Sequence, residues 1–216
     1  QQPPGNTPEP FAKNISEIHR FLHSGIVFSP DGNETYWKPE WNPRSPIMVS
    51  KIEDGYWTLP QPAPFSQPNQ GDDSPFISPD GKLFFFLSQR AQKHKESFWV
   101  MRRTPHGWSE LELLGEISNS FKFIHWQFSV DSEGNLYFGA GEKGDGKVGY
   151  IYCSKFINGK YGAPQKLGPE VNEEGSYNYS PYIYPDGSAI LFTRNQNPAT
   201  LYVSFRKNNG NWTEAK

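Results

Sequence analysis

Residues 72–90 read DDSPFISPDGKLFFFLSQR: two apolar runs facing each other across Pro-Asp-Gly. Proline pre-sets φ, the aspartate bonds nearby backbone amides, and glycine accepts a positive φ, so the segment predicts a tight antiparallel hairpin. The same bend recurs as FSPDG (28–32), FSVDSEG (128–134) and IYPDG (183–187). Asp31, Asp80, Asp131 and Asp186 are spaced by 49, 51 and 55 residues. A second marker keeps the same period. DGYW, HGW, NGKY and NGNW place Trp57, Trp108, Tyr161 and Trp212 at intervals of 51, 53 and 51. Two markers with one period establish an internal repeat.

Each unit predicts four short strands, as in DSPFIS, KLFFFLS, SFWVMRR and WSELELLG of the second. Such units arranged radially make a β-propeller, whose closed repetition leaves only short, protected sheet edges. An immunoglobulin-type sandwich also uses short strands but requires no twice-marked period. The expected fold is therefore all-β: one domain over residues 1–216, with four-stranded antiparallel blades at about 23–65, 72–115, 123–168 and 177–216.

DDSPFISPDGKLFFFLSQR and YNYSPYIYPDGSAILFTRN resemble the TolB-type (WD-repeat-like) β-propeller repeat, which also occurs in the propeller domains of prolyl-oligopeptidase-like peptidases. The third unit departs from it, with Val130 for proline and two extra residues before Gly134. The resemblance implies a five-bladed ring, whereas the residues supply four units. Residues 8–16, which resemble the stretch after each aromatic marker, are expected as the outer strand of a closing blade. In the peptidases the resemblance implies that catalysis belongs to an attached hydrolase domain, and this chain carries no Gly-x-Ser-x-Gly elbow.

Composition agrees with this fold. Aromatic residues make up 16% of the chain, and glycine and proline number 20 each, a mixture that disfavours long helices. A net charge of −2 and a pI near 6.2 give no footprint for nucleic acid. No apolar run approaches the ~20 residues that insert in a bilayer. The single cysteine, Cys153, excludes an intrachain disulfide; within GYIYCSKF it alternates as a buried, inert thiol. The polar, Pro-rich start QQPPGNTPEP fits a mature N terminus after loss of an export signal, for a secreted or periplasmic protein, or a trimmed one. Four Asn-x-Ser/Thr sequons, at Asn14, Asn33, Asn178 and Asn211, matter only in a glycosylating pathway.

Loops on a rigid scaffold usually carry function. The loops between second and third strands hold PEWNPR, QRAQKHKE, GEKGDGK and RNQNP, while His23, Asp72, Phe123 and Asn178 form one equivalent ring and Gly25, Ser74, His125 and Ser180 the next. A ligand-binding mouth of Trp41, Arg44, Arg90, His94, His125, Trp126 and Arg194 is expected, for a protein, peptide or glycan. Solvated loop residues are the plainer reading of the same positions. The repeated aspartates, one per blade in identical turns, read as structural, because an acid–base pair needs unlike environments and close approach.

Other motifs fail on their chemistry. SPDGNETYW and SVDSEGNLYF miss the Ser-x-Asp-x-Gly spacing of sialidase Asp boxes. GEKGDGKV (141–148) nearly spells a P-loop, but Val148 replaces the magnesium-binding hydroxyl and no helix follows. HRFLH sets His19 and His23 four apart without the glutamate of a zinc helix. No metal or cofactor is expected. The function expected is a non-catalytic exported binding module. The competing reading is a small propeller glycoside hydrolase using Glu40, Asp72, Asp73 and Glu142.

Overall fold

The computed structural model describes residues 25–39, 42, 44–92, 95–141 and 148–216. Four antiparallel sheets are arranged as a four-bladed β-propeller, with one short helix between the second and third. The first blade contains β1 (Val27–Phe28), β2 (Glu34–Trp37), β3 (Met48–Glu53), β4 (Tyr56–Trp57) and β5 (Gln61–Pro62). The second contains β6 (Asp73–Ile77), β7 (Leu83–Ser88), β8 (Ser97–Thr104), β9 (Gly107–Trp108) and β10 (Glu112–Leu113), followed by α1 (Gly115–Asn119). The third contains β11 (Phe123–Val130), β12 (Leu136–Gly141), β13 (Tyr150–Ser154), β14 (Phe156–Ile157), β15 (Lys160–Tyr161) and β16 (Gln165–Lys166). The fourth contains β17 (Asn178–Ile183), β18 (Ala189–Arg194) and β19 (Thr200–Phe205).

The bends between first and second strands have the expected chemistry. Oδ1 of Asp31, Asp80, Asp131 and Asp186 each accepts from the backbone amide two residues ahead, at 2.9–3.1 Å. In the first two blades the preceding Ser29 and Ser78 hydroxyls donate to the same oxygen. Hydrogen bonds from Ser29 and the Asn33 amide hold the exposed Asp31 carboxyl below its usual range. At Asp80, partial burial pushes upward but the bonds from Ser78 and Lys82 outweigh it. Glycines 32, 81 and 187 follow at φ of 71–73°, a region that other side chains rarely adopt.

The fourth strand differs from the sequence expectation. It does not start at the aromatic marker. The marker folds back on the end of the third strand, pairing Trp57 with Ile52 and Trp108 with Arg103. The outer strand forms several residues later, where Gln61 meets Val49 and Leu113 meets Trp99. A tight turn can pair only the last residues of β3 and β8; reaching the rest of the strand needs this second approach. WSELELLG, expected as one outer strand, supplies only β10 there and ends at Gly115, the first residue of α1. In the fourth blade the outer position is filled by the chain's own C-terminal residues. Val203 and Lys216 exchange both backbone hydrogen bonds, at 2.9 and 3.1 Å. Residues 8–16 lie outside the described residues.

The core is laid between blades. Tyr36, Val49, Ile77, Phe84, Phe86 and Met101 fill the first interface. Phe85, Leu87, Phe98 and Val100 meet Phe128, Leu136 and Phe138 in the second. Tyr137, Ile151 and Cys153 meet Ile183, Ile190 and Phe192 in the third. Because a middle strand is covered on both faces, β7 reads LFFFLS without alternation, and all six of its residues are buried. Burying each of these rings contributes ~2–3 kcal/mol. Cys153 is buried as expected, and burial pushes its thiol pKa up. Asn178 is buried too, which removes one of the four sequons as an acceptor.

Candidate functional site

The inner strands β6, β11 and β17 carry an irregularity at equivalent places, between Asp73 and Phe76, Ile124 and Phe128, and Tyr179 and Tyr182. At two of these bulges Ser74 and Ser180 hold φ of 51° and 52°, positive values that serine rarely adopts. Bulges re-aim side chains and concentrate beside functional sites. Here the Asp73 carboxylate accepts from the Ser74 amide at 2.6 Å, and the Ser180 hydroxyl donates to Gln127 Oε1 across two blades at 2.9 Å. Residues at the bulges, among them Ser74, Trp126, Gln127 and Ser180, line a common groove between the inner strands.

An aromatic wall stands at that level. His125 lies 4.7 Å from Tyr179, 5.8 Å from Trp126 and 6.3 Å from Tyr177, centroid to centroid. Phe123 and Tyr177 stack with planes 10° apart. The wall needs Gly139 behind it, since a Cβ there would lie 3.2 Å from Tyr179 Cα and 3.3 Å from His125 Cβ. Burial holds the His125 imidazole below its ordinary pKa, with a hydrogen bond to Gln127 opposing the shift. Its Nδ1 is buried without a hydrogen-bond partner among the described residues. Burial, then the neighbouring Tyr179, raises the Tyr177 phenol.

Two cavities flank Trp126. A groove of about 630 Å³ runs along the axis between all four inner strands, lined by apolar groups including Ile26, Phe28, Phe76, Phe128 and Pro181. A smaller cavity of about 110 Å³ opens beside Lys38, Asp73, Gln89 and Glu96. Gln89 Nε2 donates to Glu96 Oε1 at 2.9 Å, presenting an amide and a carboxylate side by side. Trp126 belongs to both linings. The arrangement offers apolar faces for packing and a polar rim for orientation, the usual makeup of a ligand site.

The expected mouth is therefore only partly assembled. Trp126 lines the central groove, and His125 packs next to it against Tyr179. Arg44 is exposed in its loop, with its amide bonded to Asn42. Arg90 and Arg194 are both engaged by partners within the chain. Arg90 Nη2 binds the buried Asp72 carboxylate at 2.5 Å, and the guanidinium lies over Phe86 and Trp99. Arg194 donates to Asn178, Glu173 and the Val171 carbonyl, and stacks on Tyr202 at 4.4 Å. An arginine next to an inner-strand polar residue gains more from neutralising it than from facing water, because the buried partner would otherwise be uncompensated. Trp41 and His94 lie outside the described residues, as do His19, His23, Glu40 and Glu142. Asp72, also bonded to Ser66, is held inside its blade, while Asp73 borders the small cavity. Sequence reading passed over Gln127, which lines the groove, and Tyr177 and Tyr179, which pack on His125 behind it. Tyr179 directly precedes Ser180, the counterpart of His125 in the aligned units, and Gln127 directly follows Trp126.

No family model and no curated protein matches the chain. Solved structures do. TolB from Acinetobacter baumannii superposes with a TM-score of 0.60 at 17% identity, over 88% of this chain and 42% of that one. A puromycin-hydrolyzing peptidase of Mycobacterium tuberculosis gives 0.58 at 14% identity, over 89% and 28%. The periplasmic gluconolactonase PpgL of Pseudomonas aeruginosa gives 0.52 at 14%, over 90% and 56%. This chain thus spans well under two thirds of each of these proteins. No helix among the described residues is long and apolar enough to cross a membrane. These neighbours differ in activity, and at such identities what the chain shares with them is the β-propeller fold.

Proposed function

We propose that this chain is the binding module of an exported propeller protein and recognises a protein, peptide or glycan ligand at the axial loop face, without catalysis. The observation that carries this reading is Trp126, which lines the apolar groove and is backed by a cluster of His125, Tyr177 and Tyr179. Aromatic side chains bury large area at low entropic cost, and their polar atoms select orientation. The ionic groups nearest the rim, Asp72 with Arg90 and Arg194 with Glu173, neutralise each other within their blades and serve the scaffold. An exported setting fits the propeller neighbour named as periplasmic. Calorimetric titration of the chain against peptide and glycan panels tests the reading. A ligand whose affinity falls at least about tenfold in Trp126→Ala, with unchanged thermal stability, supports it; turnover that survives Trp126→Ala argues against it.

A glycoside hydrolase is the second reading, favoured by Asp73 beside Glu96 at the small cavity. Asp73→Asn then abolishes hydrolysis of a chromogenic glycoside; if no glycoside is cleaved by the parent chain, this reading fails.

A further inference from the structure

Trp126 is shared by two cavities of opposite chemistry. The smaller, of about 110 Å³, is assembled from three blades. Lys38 and Asn42 follow β2 in the first. Asp73 opens β6 in the second, where Gln89 and Glu96 are the first and last residues between β7 and β8. Trp126 comes from β11 of the third. Lys38 is only 2% exposed, and its ammonium donates to the Ser45 carbonyl. The other polar members are half-buried, and Gln89 Nε2 is bonded to Glu96 Oε1. The larger cavity, of about 630 Å³, has no charged side chain in its lining among the described residues; Phe76, Phe128 and Pro181 set its character.

We infer, resting on the binding reading above, that the ligand is an amphiphilic glycoside: its neutral sugar ring enters the small cavity and its apolar aglycone lies along the groove. A cation in the small cavity meets the Lys38 ammonium, and an anion meets Asp73 and Glu96, so like charge opposes either one. A neutral ring with several hydroxyls meets no such repulsion. Carboxylate oxygens accept its hydroxyl protons, while the Gln89 and Asn42 amides both donate and accept. The Trp126 ring offers an apolar face to the C–H bonds of the sugar. Size agrees: the cavity falls well below the ~300–1,000 Å³ of sites that enclose a drug-sized ligand, so it takes one ring. A longer polar chain is disfavoured beyond Trp126, because an apolar groove leaves most of its hydroxyls without partners. An apolar aglycone carries no such cost and removes its own surface from water.

Calorimetric titration of the chain with methyl, butyl and hexyl β-D-glucopyranosides, and with the matching galactosides and mannosides, tests the inference. In at least one sugar series, affinity is expected to rise about threefold to fourfold per methylene, as burial of each CH₂ group requires. Glu96→Ala is expected to weaken binding of the hexyl glycoside at least about tenfold with an unchanged thermal midpoint. Gln89→Ala gives the same loss should that variant fold poorly. Free hexanol is expected to bind at least about tenfold more weakly than the hexyl glycoside. Absence of binding in every series overturns the inference. So does a hexyl glycoside that the parent chain holds no more tightly than it holds hexanol, or than the folded variant holds the glycoside. Peptide binding that depends on Trp126, without any glycoside binding, overturns this inference alone and leaves the binding reading intact. Release of the alkanol during titration supports glycoside recognition and overturns the claim that the module is non-catalytic.

Discussion

Replacing Trp108 with alanine is the sharpest test of how the blades are wedged together. Its indole lies between the first and second blades and is half-buried rather than fully enclosed. Nε1 donates to the Tyr36 hydroxyl at 3.1 Å, across a separation of 72 residues. Phe84 meets the ring edge-on at 5.2 Å, and the Arg103 guanidinium carbon lies 3.8 Å over it. A fully buried Trp→Ala change costs about 3–5 kcal/mol, so half-burial gives about 2 kcal/mol. The cross-blade hydrogen bond contributes about 1 kcal/mol and the cation–π contact about 0.5 kcal/mol. Tyr36 still donates to Glu34 Oε2 at 3.2 Å after the change, so no buried hydroxyl is orphaned. The expected loss is about 3.5 kcal/mol. In urea it appears as a lower midpoint with an unchanged slope, and on heating as a fall of roughly 7–14 °C. A double-mutant cycle with Tyr36→Phe should return a coupling of about 1 kcal/mol. A loss below about 1 kcal/mol, or no coupling to Tyr36, would refute the assignment of this marker to the blade interface.

Arg90→Met strands the Asp72 carboxylate, whose side chain is fully buried, and should cost roughly 3–5 kcal/mol in urea unfolding; Asp72→Leu added to it should recover most of that loss. His125 binds a proton less readily folded than unfolded, because burial disfavours the imidazolium. Stability is therefore fully present above the unfolded value of 6.5 and lost as pH falls through the folded one; His125→Phe should flatten that slope, and an equally steep slope in the variant would exclude this histidine as its source. Cys153 should react with a thiol reagent only as fast as the chain opens, so stabilising conditions slow labelling in proportion; prompt labelling of the native chain would show the thiol to be accessible.

The repeat made the architecture legible. Asp31, Asp80, Asp131 and Asp186 announce their turns through chemistry local to four or five residues, and such chemistry is written in the chain directly. The two-step outer strand was not, because whether Leu113 or Trp108 meets a given residue of β8 depends on how far the turn lets the chain reach. Aligning units pointed to Trp126, which the structure places in the lining of the central groove. Arg90 and Arg194 are drawn inward by the buried Asp72 and Asn178, partners that an arginine in a polar loop does not announce. Tyr179 was missed for the complementary reason: its contact with His125 joins two blades 54 residues apart, and no local pattern encodes it.

The strand LFFFLS has a consequence for how disturbance travels. Phe84 and Phe86 belong to one interface while Leu83, Phe85 and Leu87 belong to the next, on a backbone that cannot shift one row without the other. A change at Tyr36 that nudges Phe84, 4.8 Å away, therefore reaches Phe128, whose ring is 6.3 Å from Phe85, although Tyr36 and Phe128 belong to separate clusters. The second blade acts as a stiff lever between its neighbours, so a load on the rim of one wedge is delivered to the axis of another.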